Sequence, residues 1–161
     1  MGSMILNAMM ILGCWTGSVD LTHKFTGDGV CEEYSLKFEY EESSQKLNVK
    51  KLGVRCPDGF DTMWTDLSLR VGEDGSLWLK PARGDEGIVG WFRDGEFHVE
   101  DALNAWMYNF WSGKHMVEDA SGETPVETLV WEDRLLRKGE DYWALSGALN
   151  RASCSDFDQQ Y

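Results

Sequence analysis

From Trp15 to Thr22 the chain alternates. Trp15, Gly17, Val19 and Leu21 are apolar or small, and Thr16, Ser18, Asp20 and Thr22 are polar. A period of two marks a strand with one buried face. After the turn signal Thr26-Gly27-Asp28-Gly29 comes the clearest alternation in the chain. Val30, Tyr34, Leu36, Phe38 and Tyr40 share one parity, and Glu33, Ser35, Lys37, Glu39 and Glu41 share the other. Glu32 falls on the apolar side near a strand end, where an inward carboxylate can anchor a polar ligand head. Ser43-Ser44-Gln45-Lys46 turns the chain. Leu47 and Val49 then give way in phase to Leu52 and Val54, which predicts a bulge near Lys50-Lys51.

Pro57-Asp58-Gly59 marks the next turn, and a strand is expected from Phe60 to Val71. Short strands at Leu77-Trp78-Leu79, Ile88 to Phe92 and Phe97 to Val99 follow, separated by Asp-Gly type turns. The stretch from Ala105 to Met116 admits two readings. Ala102, Leu103, Trp106 and Phe110 form a stripe at helical spacing, whereas Trp106, Tyr108 and Phe110 share a strand parity. Strand is preferred, because aromatics suit a pleated surface and both neighbours read as strands. Val126 to Arg137, with Val126, Thr128 and Val130 on one parity, and Tyr142 to Arg151 complete the series.

The pattern gives about ten strands, no convincing long helix, no repeat and no linker. The fold class expected is all-β: a single antiparallel up-and-down β-barrel, lipocalin-like, over residues 4–155. Closure removes the exposed edges such a sheet would otherwise have. Residues 1–3 look like a cloning remnant, residues 4–12 read as a short lid on the barrel base, and residues 156–161 as a frayed tail. In a closed barrel the first and last strands are neighbours. Arg151 is then expected to lie over Trp15, its guanidinium on the indole face. Both residues are assigned to structure, closing the barrel floor.

Composition sharpens this picture. The 161 residues suit one domain, and 8 Trp, 7 Phe and 5 Tyr supply either core packing or a wide aromatic pocket wall. A net charge of −13 argues against a nucleic-acid partner and against attraction to anionic membranes. No stretch reaches transmembrane length, so membrane insertion is not expected. Four cysteines, Cys14, Cys31, Cys56 and Cys154, allow three pairings. Cys14 and Cys154 flank the expected Trp15–Arg151 contact, and Cys31 and Cys56 fall on consecutive strands. Four ordinary thiols are an equal alternative. Without a basic signal region ahead of Lys24 the compartment expected is cytoplasmic; disulfides Cys14–Cys154 or Cys31–Cys56 would mean a periplasmic or secreted protein.

No motif demands catalysis. The histidines His23, His98 and His115 are scattered, and no Cys/His spacing suggests a metal. There is no nucleophile elbow and no phosphate loop. Carboxylate pairs such as Glu132-Asp133 are adjacent, so they point to opposite faces of a strand and cannot share a proton. The expectation is a container for a small hydrophobic molecule, lined by Tyr34, Leu36, Phe38, Tyr40, Trp106, Tyr108 and Phe110. His23, at the cavity mouth, Glu32 or Arg134 would orient a polar group. No catalytic residue and no metal ligand is assigned; the cofactor, if any, and the oligomeric state stay open. An enzyme acting on a tetrapyrrole and a filled barrel serving as an interaction module are the alternatives.

The opening Gly13-Cys14-Trp15-Thr16-Gly17 and the closing Arg151 resemble the calycins, the superfamily of lipocalins and fatty-acid-binding proteins. Within it, Leu12 to Gly17, Glu32 to Phe38 and Leu145 to Arg151 are similar to nitrobindin-like haem barrels. That resemblance implies a ligand-holding barrel and, in members that bind haem, a last-strand histidine on the iron. Ala144 stands about where that histidine would be, so haem would need His115 or His23 instead. Phycobilin lyases are a further branch with barrels of this type, a likeness of fold alone.

Overall fold

A computed structural model describes residues 10–57, 60, 66–81, 84–102, 106–118 and 126–158. Among them ten strands form: β1 (Gly13–His23), β2 (Gly29–Glu41), β3 (Lys46–Arg55), β4 (Leu67–Val71), β5 (Ser76–Leu79), β6 (Gly87–Arg93), β7 (Glu96–Ala102), β8 (Met107–Glu118), β9 (Val126–Arg137) and β10 (Glu140–Ala152). A single helical turn, α1 (Ser155–Asp158), follows. Every strand pairs antiparallel with its sequence neighbours, and β1 pairs with β10, so the sheet is one closed up-and-down barrel. The all-β barrel expected from the alternation is the fold.

Turn chemistry sets the registers. Asp94 and Gly95 have φ of 54° and 75°, and Lys138 and Gly139 have 54° and 79°. Two consecutive positive φ values make the tight hairpin whose twist matches that of its strands. Up-and-down order sends these turns to opposite ends. The end of β10 and the turns 42–45, 72–75 and 94–95 share one end with the start of β1. The turns 24–28 and 138–139 share the other with Pro57, Phe60, Pro81, Gly84 and Trp106.

The first of these ends is sealed. Trp15 pairs with Arg151 in register and is fully buried, with the Arg151 guanidinium 4.3 Å from its ring centroid. Arg151 also donates to Glu127 Oε2 (2.7 Å, from Nε), Leu12 O (2.7 Å) and Met10 O (2.6 Å). The indole N–H of Trp15 reaches Ile11 O at 2.8 Å. Gly13, at φ 111°, allows this approach: a Cβ there would lie 3.0 Å from Arg151 Nη1. Cys14 and Cys154 form a disulfide beside the knot. Cys154 is tied down and Phe157 of α1 is buried, while residues 159–161 of the expected tail lie outside the described residues. The lid expected over residues 4–12 falls mostly outside the described residues, although Ile11 is fully buried.

Two bulges change which side chains face inward. Gly17 pairs with Tyr34 and Val19 with Cys31, so Glu32 and Glu33 of β2 together oppose Ser18. The phase therefore flips: Tyr34, Leu36 and Phe38 are buried, but so is Cys31, while Val30 is 52% exposed. The expectation that Val30 and Glu32 face inward is thus corrected. Glu32 stands outside, 3.4 Å from Arg55. In β3 the extra residue is Leu52, since Ser35 pairs with Gly53 and Leu36 with Lys51. The bulge lies one residue beyond the Lys50-Lys51 position that the sequence suggests, so Lys51 keeps the inward parity of Leu47 and Val49. Cys31 and Cys56 form the second disulfide, across β2 and the end of β3.

The segment 107–118 is strand, as preferred, but of opposite parity to that expected. Asn109, Trp111 and Gly113 are buried, and Met107 packs against the core. Tyr108 is 38% exposed and Trp106, just before the strand, 61%. Phe110 lies on the outer wall between His98 and Arg134 (5.0 Å each). Arg134 also faces out, bonded to Asp141 at 2.9 Å. In β9 the buried set is Leu129, Trp131, Asp133 and Leu135, whereas Val126 and Val130 are exposed. Of the strand expected from Phe60 to Val71, Leu67–Val71 is strand among the described residues, and residues 61–65 lie outside the described set.

Candidate functional site

The barrel interior is filled at mid-height. Phe38, Phe97 and Trp131 contact one another edge-to-face or stacked, with centroids 5.5–6.0 Å apart. Gly113 is the small partner that makes room for Trp131; a Cβ there would meet the indole at 3.0 Å. Within this apolar packing lies one polar cluster. Tyr34 Oη donates to Asp133 Oδ2 (2.7 Å), Lys51 Nζ donates to the same oxygen (3.0 Å), and Trp131 Nε1 donates to Tyr34 Oη (3.0 Å). Lys51 Nζ also sits 5.3 Å from the centroid of the Tyr34 ring.

Burial sets the electrostatics of the cluster. It pushes the Asp133 carboxyl above its ordinary value, against the Lys51 charge and the Tyr34 and Lys51 hydrogen bonds, which favour the anion. Trp111, the cross-strand partner of Asp133, also favours the ionised form. Tyr34 is held well above 10, first by burial and then by the charge of Asp133, so it stays a phenol and a donor. With side-chain exposures of 9% and 1%, Lys51 and Asp133 are walled off from solvent. The cluster ties β2, β3 and β9 together across the barrel.

The end opposite the Trp15 knot is different. There His23, Phe60, Met107, Leu135, Arg137, Tyr142 and Trp143 line a cavity of about 330 Å³. A second depression of about 180 Å³ adjoins it, sharing Arg137 and Tyr142 and adding Lys24, Phe25, Lys138, Glu140 and Asp141. The rim is aromatic: His23 lies 5.2 Å from Tyr142 and 5.6 Å from Phe60, and Phe60 lies 5.4 Å from Trp143, all edge-to-face. His23 Nδ1 accepts hydrogen bonds from the backbone N–H of Phe25 (3.1 Å) and Thr26 (3.3 Å). An accepting Nδ1 places the ring proton on Nε2. Exposed Phe25 (69%) extends the apolar rim.

The candidates from the sequence divide accordingly. His23 stands at the mouth. Tyr34, Leu36 and Phe38 are in the sealed interior. Tyr40 is half-buried towards the closed end, where it pairs with Leu47. Glu32, Arg134, Tyr108 and Phe110 are on the outer wall, and Trp106 is exposed beside Lys138 (5.5 Å). Lys51, Asp133, Arg137, Tyr142 and Trp143 were missed. The odd-numbered apolar run Leu129, Trp131, Leu135 contained the signal for Asp133.

His115 and His98 offer no ligand to a haem iron in the mouth, where His23 is the histidine that lines the cavity. His115 has 4% side-chain exposure and is held at the closed end, with Nε2 donating to Glu127 (2.9 Å) and the ring against Trp15 (5.9 Å). His98 stacks on Trp91 on the outer wall (5.4 Å). Ala144 alternates with the buried Trp143 and Leu145 and so faces out. Among the described residues no His, Cys, Asp and Glu group suits a metal ion, and no helix is long and apolar enough to cross a membrane. The fold and site define a closed ten-strand antiparallel barrel, sealed at one end and aromatic at the mouth. No protein-family model, curated protein or solved structure matches the chain.

Proposed function

We propose that the protein binds a small hydrophobic molecule in the mouth of a calycin-type barrel. The observation that carries this reading is the cavity of about 330 Å³ walled by Phe60, Met107, Leu135, Tyr142 and Trp143. Such a volume lies at the small end of ligand pockets, and its mix of apolar walls with a few polar groups is what such pockets share. The ligand sits nearer the rim than the sequence suggested, because Phe38, Phe97, Trp111 and Trp131 occupy the interior. The calycin-type assignment rests on the Trp15–Arg151 contact and the up-and-down closure. Two disulfides favour an oxidising compartment over the cytoplasm.

Tryptophan fluorescence tests the reading. A panel of fatty acids, retinoids and tetrapyrroles is titrated into the protein and into Trp143→Phe. Saturable quenching by at least one member, reduced in the variant, is the expected result. The row Trp91, His98 and Phe110 on the outer wall favours a second reading, a filled barrel that serves as an interaction module. Absence of quenching by every member of the panel would favour it.

A further inference from the structure

We infer that the mouth is built for an anionic ligand: an apolar body carrying a carboxylate, held by Arg137 and the Nε2–H of His23. This rests on the mouth being the binding site.

The chain has 28 acidic residues against 15 Lys and Arg, so a guanidinium finds a carboxylate easily. Arg55, Arg70, Arg134 and Arg151 each do so, with Glu32, Glu86, Asp141 and Glu127. The Arg137 side chain has no ion-pair or hydrogen-bond partner among the described residues, yet it lines both depressions at the mouth. The carboxylates that line the smaller depression with it are paired elsewhere. Glu140 pairs with Lys24 at 3.1 Å, and Asp141 with Arg134 at 2.9 Å. Lys138, beside the same rim, is directed over the Trp106 ring. Arg137 thus retains its full hydrogen-bonding fork towards the cavity, in a molecule whose net charge of −13 would otherwise repel anions.

His23 supplies the second donor. With Nδ1 occupied by two backbone N–H groups, the ring has only Nε2–H to offer the cavity it lines. A donor and a guanidinium at one rim, with apolar walls on Phe60, Leu135 and Trp143, match a carboxylate on a hydrophobic body. A cationic head would meet the Arg137 guanidinium and be repelled.

The test compares isosteric pairs by titration calorimetry: 2-naphthoate with 2-naphthamide, and octanoate with octanamide. The acids are expected to bind about tenfold tighter than the amides, as a charge-assisted pair requires. In Arg137→Gln the two should bind alike. Arg137→Lys should keep part of the preference, and His23→Phe should weaken the acids while sparing the amides. Arg93→Gln, at the closed end, should leave the ratio unchanged. Equal binding of acids and amides to the wild type would overturn the anionic head and leave the mouth reading standing. A preference undiminished in Arg137→Gln would overturn the role of Arg137. No binding of any of the four compounds would overturn the mouth reading and this inference together.

Discussion

Lys51 and Asp133, 82 residues apart in sequence, meet inside the barrel at 3.0 Å with almost no access to water. Each neutralises a charge the other could not leave buried alone. Removing one partner strands the other, at a typical cost of about 3–5 kcal/mol, whereas replacing both with apolar groups can be neutral. Asp133→Leu and Lys51→Met are each expected to lower stability in urea melts. The double variant Asp133→Leu with Lys51→Met should lose less than the sum of the singles. Strict additivity would show that the pair is not coupled.

Tyr34 relays between Trp131 and Asp133 through one oxygen. Tyr34→Phe deletes that oxygen without changing the ring, and leaves a buried indole N–H short of its acceptor. A loss of about 1–3 kcal/mol is expected from the unmet group. An unchanged urea midpoint would count against the relay.

Glu127 gives the closed end a pH dependence of known sign. The Arg151 hydrogen bonds, then that of His115, hold its carboxyl below the ordinary value of 4.5. A folded-state value below the unfolded one contributes stability above 4.5 and loses it as pH falls through the folded-state value. Glu127→Gln should therefore be less stable than wild type near neutral pH. The two melting curves should converge in acid, where the wild-type side chain is neutral too. A gap that persists or widens in acid would contradict the assignment.

Gly13 holds φ 111° and leaves 3.0 Å between its missing Cβ and Arg151 Nη1. Gly13→Ala both strains the backbone and presses on the guanidinium, so a loss of about 1–3 kcal/mol is expected. Trp15→Ala removes the fully buried ring itself and should cost more, about 3–5 kcal/mol. Urea melts of both variants check the ranking.

Much of this was readable from the alternation alone. Strand number, closure and the approach of Arg151 to Trp15 follow from period-two runs separated by Gly-containing turns. Facing was harder, for identifiable reasons. The bulge at Glu32 and Glu33 shifts the phase within one continuous strand, so Val30 and Glu32 inherit the wrong side. Lys51 continues the inward parity of Leu47 and Val49, and a bulge read at Lys50-Lys51 instead of at Leu52 hides that continuity. In β8 and β9 the outer wall carries Tyr108, Phe110, Val126 and Val130, which suit a pleated surface as well as the inner residues do. Two apolar parities then compete, and only the packing partners decide between them. At the mouth His23 was legible, but Phe60, Arg137 and Tyr142 were not, because they come from a loop and separate strands that closure alone assembles.

The bond between Cys14 and Cys154 makes a hoop of nearly the whole described chain. A protease that cuts once at any turn between them opens the backbone without releasing a piece. The nicked protein keeps the mobility of the intact one on a non-reducing gel and falls into two bands only when a reductant is added. The molecule can therefore be severed at a hairpin and still hold its strands within reach of one another.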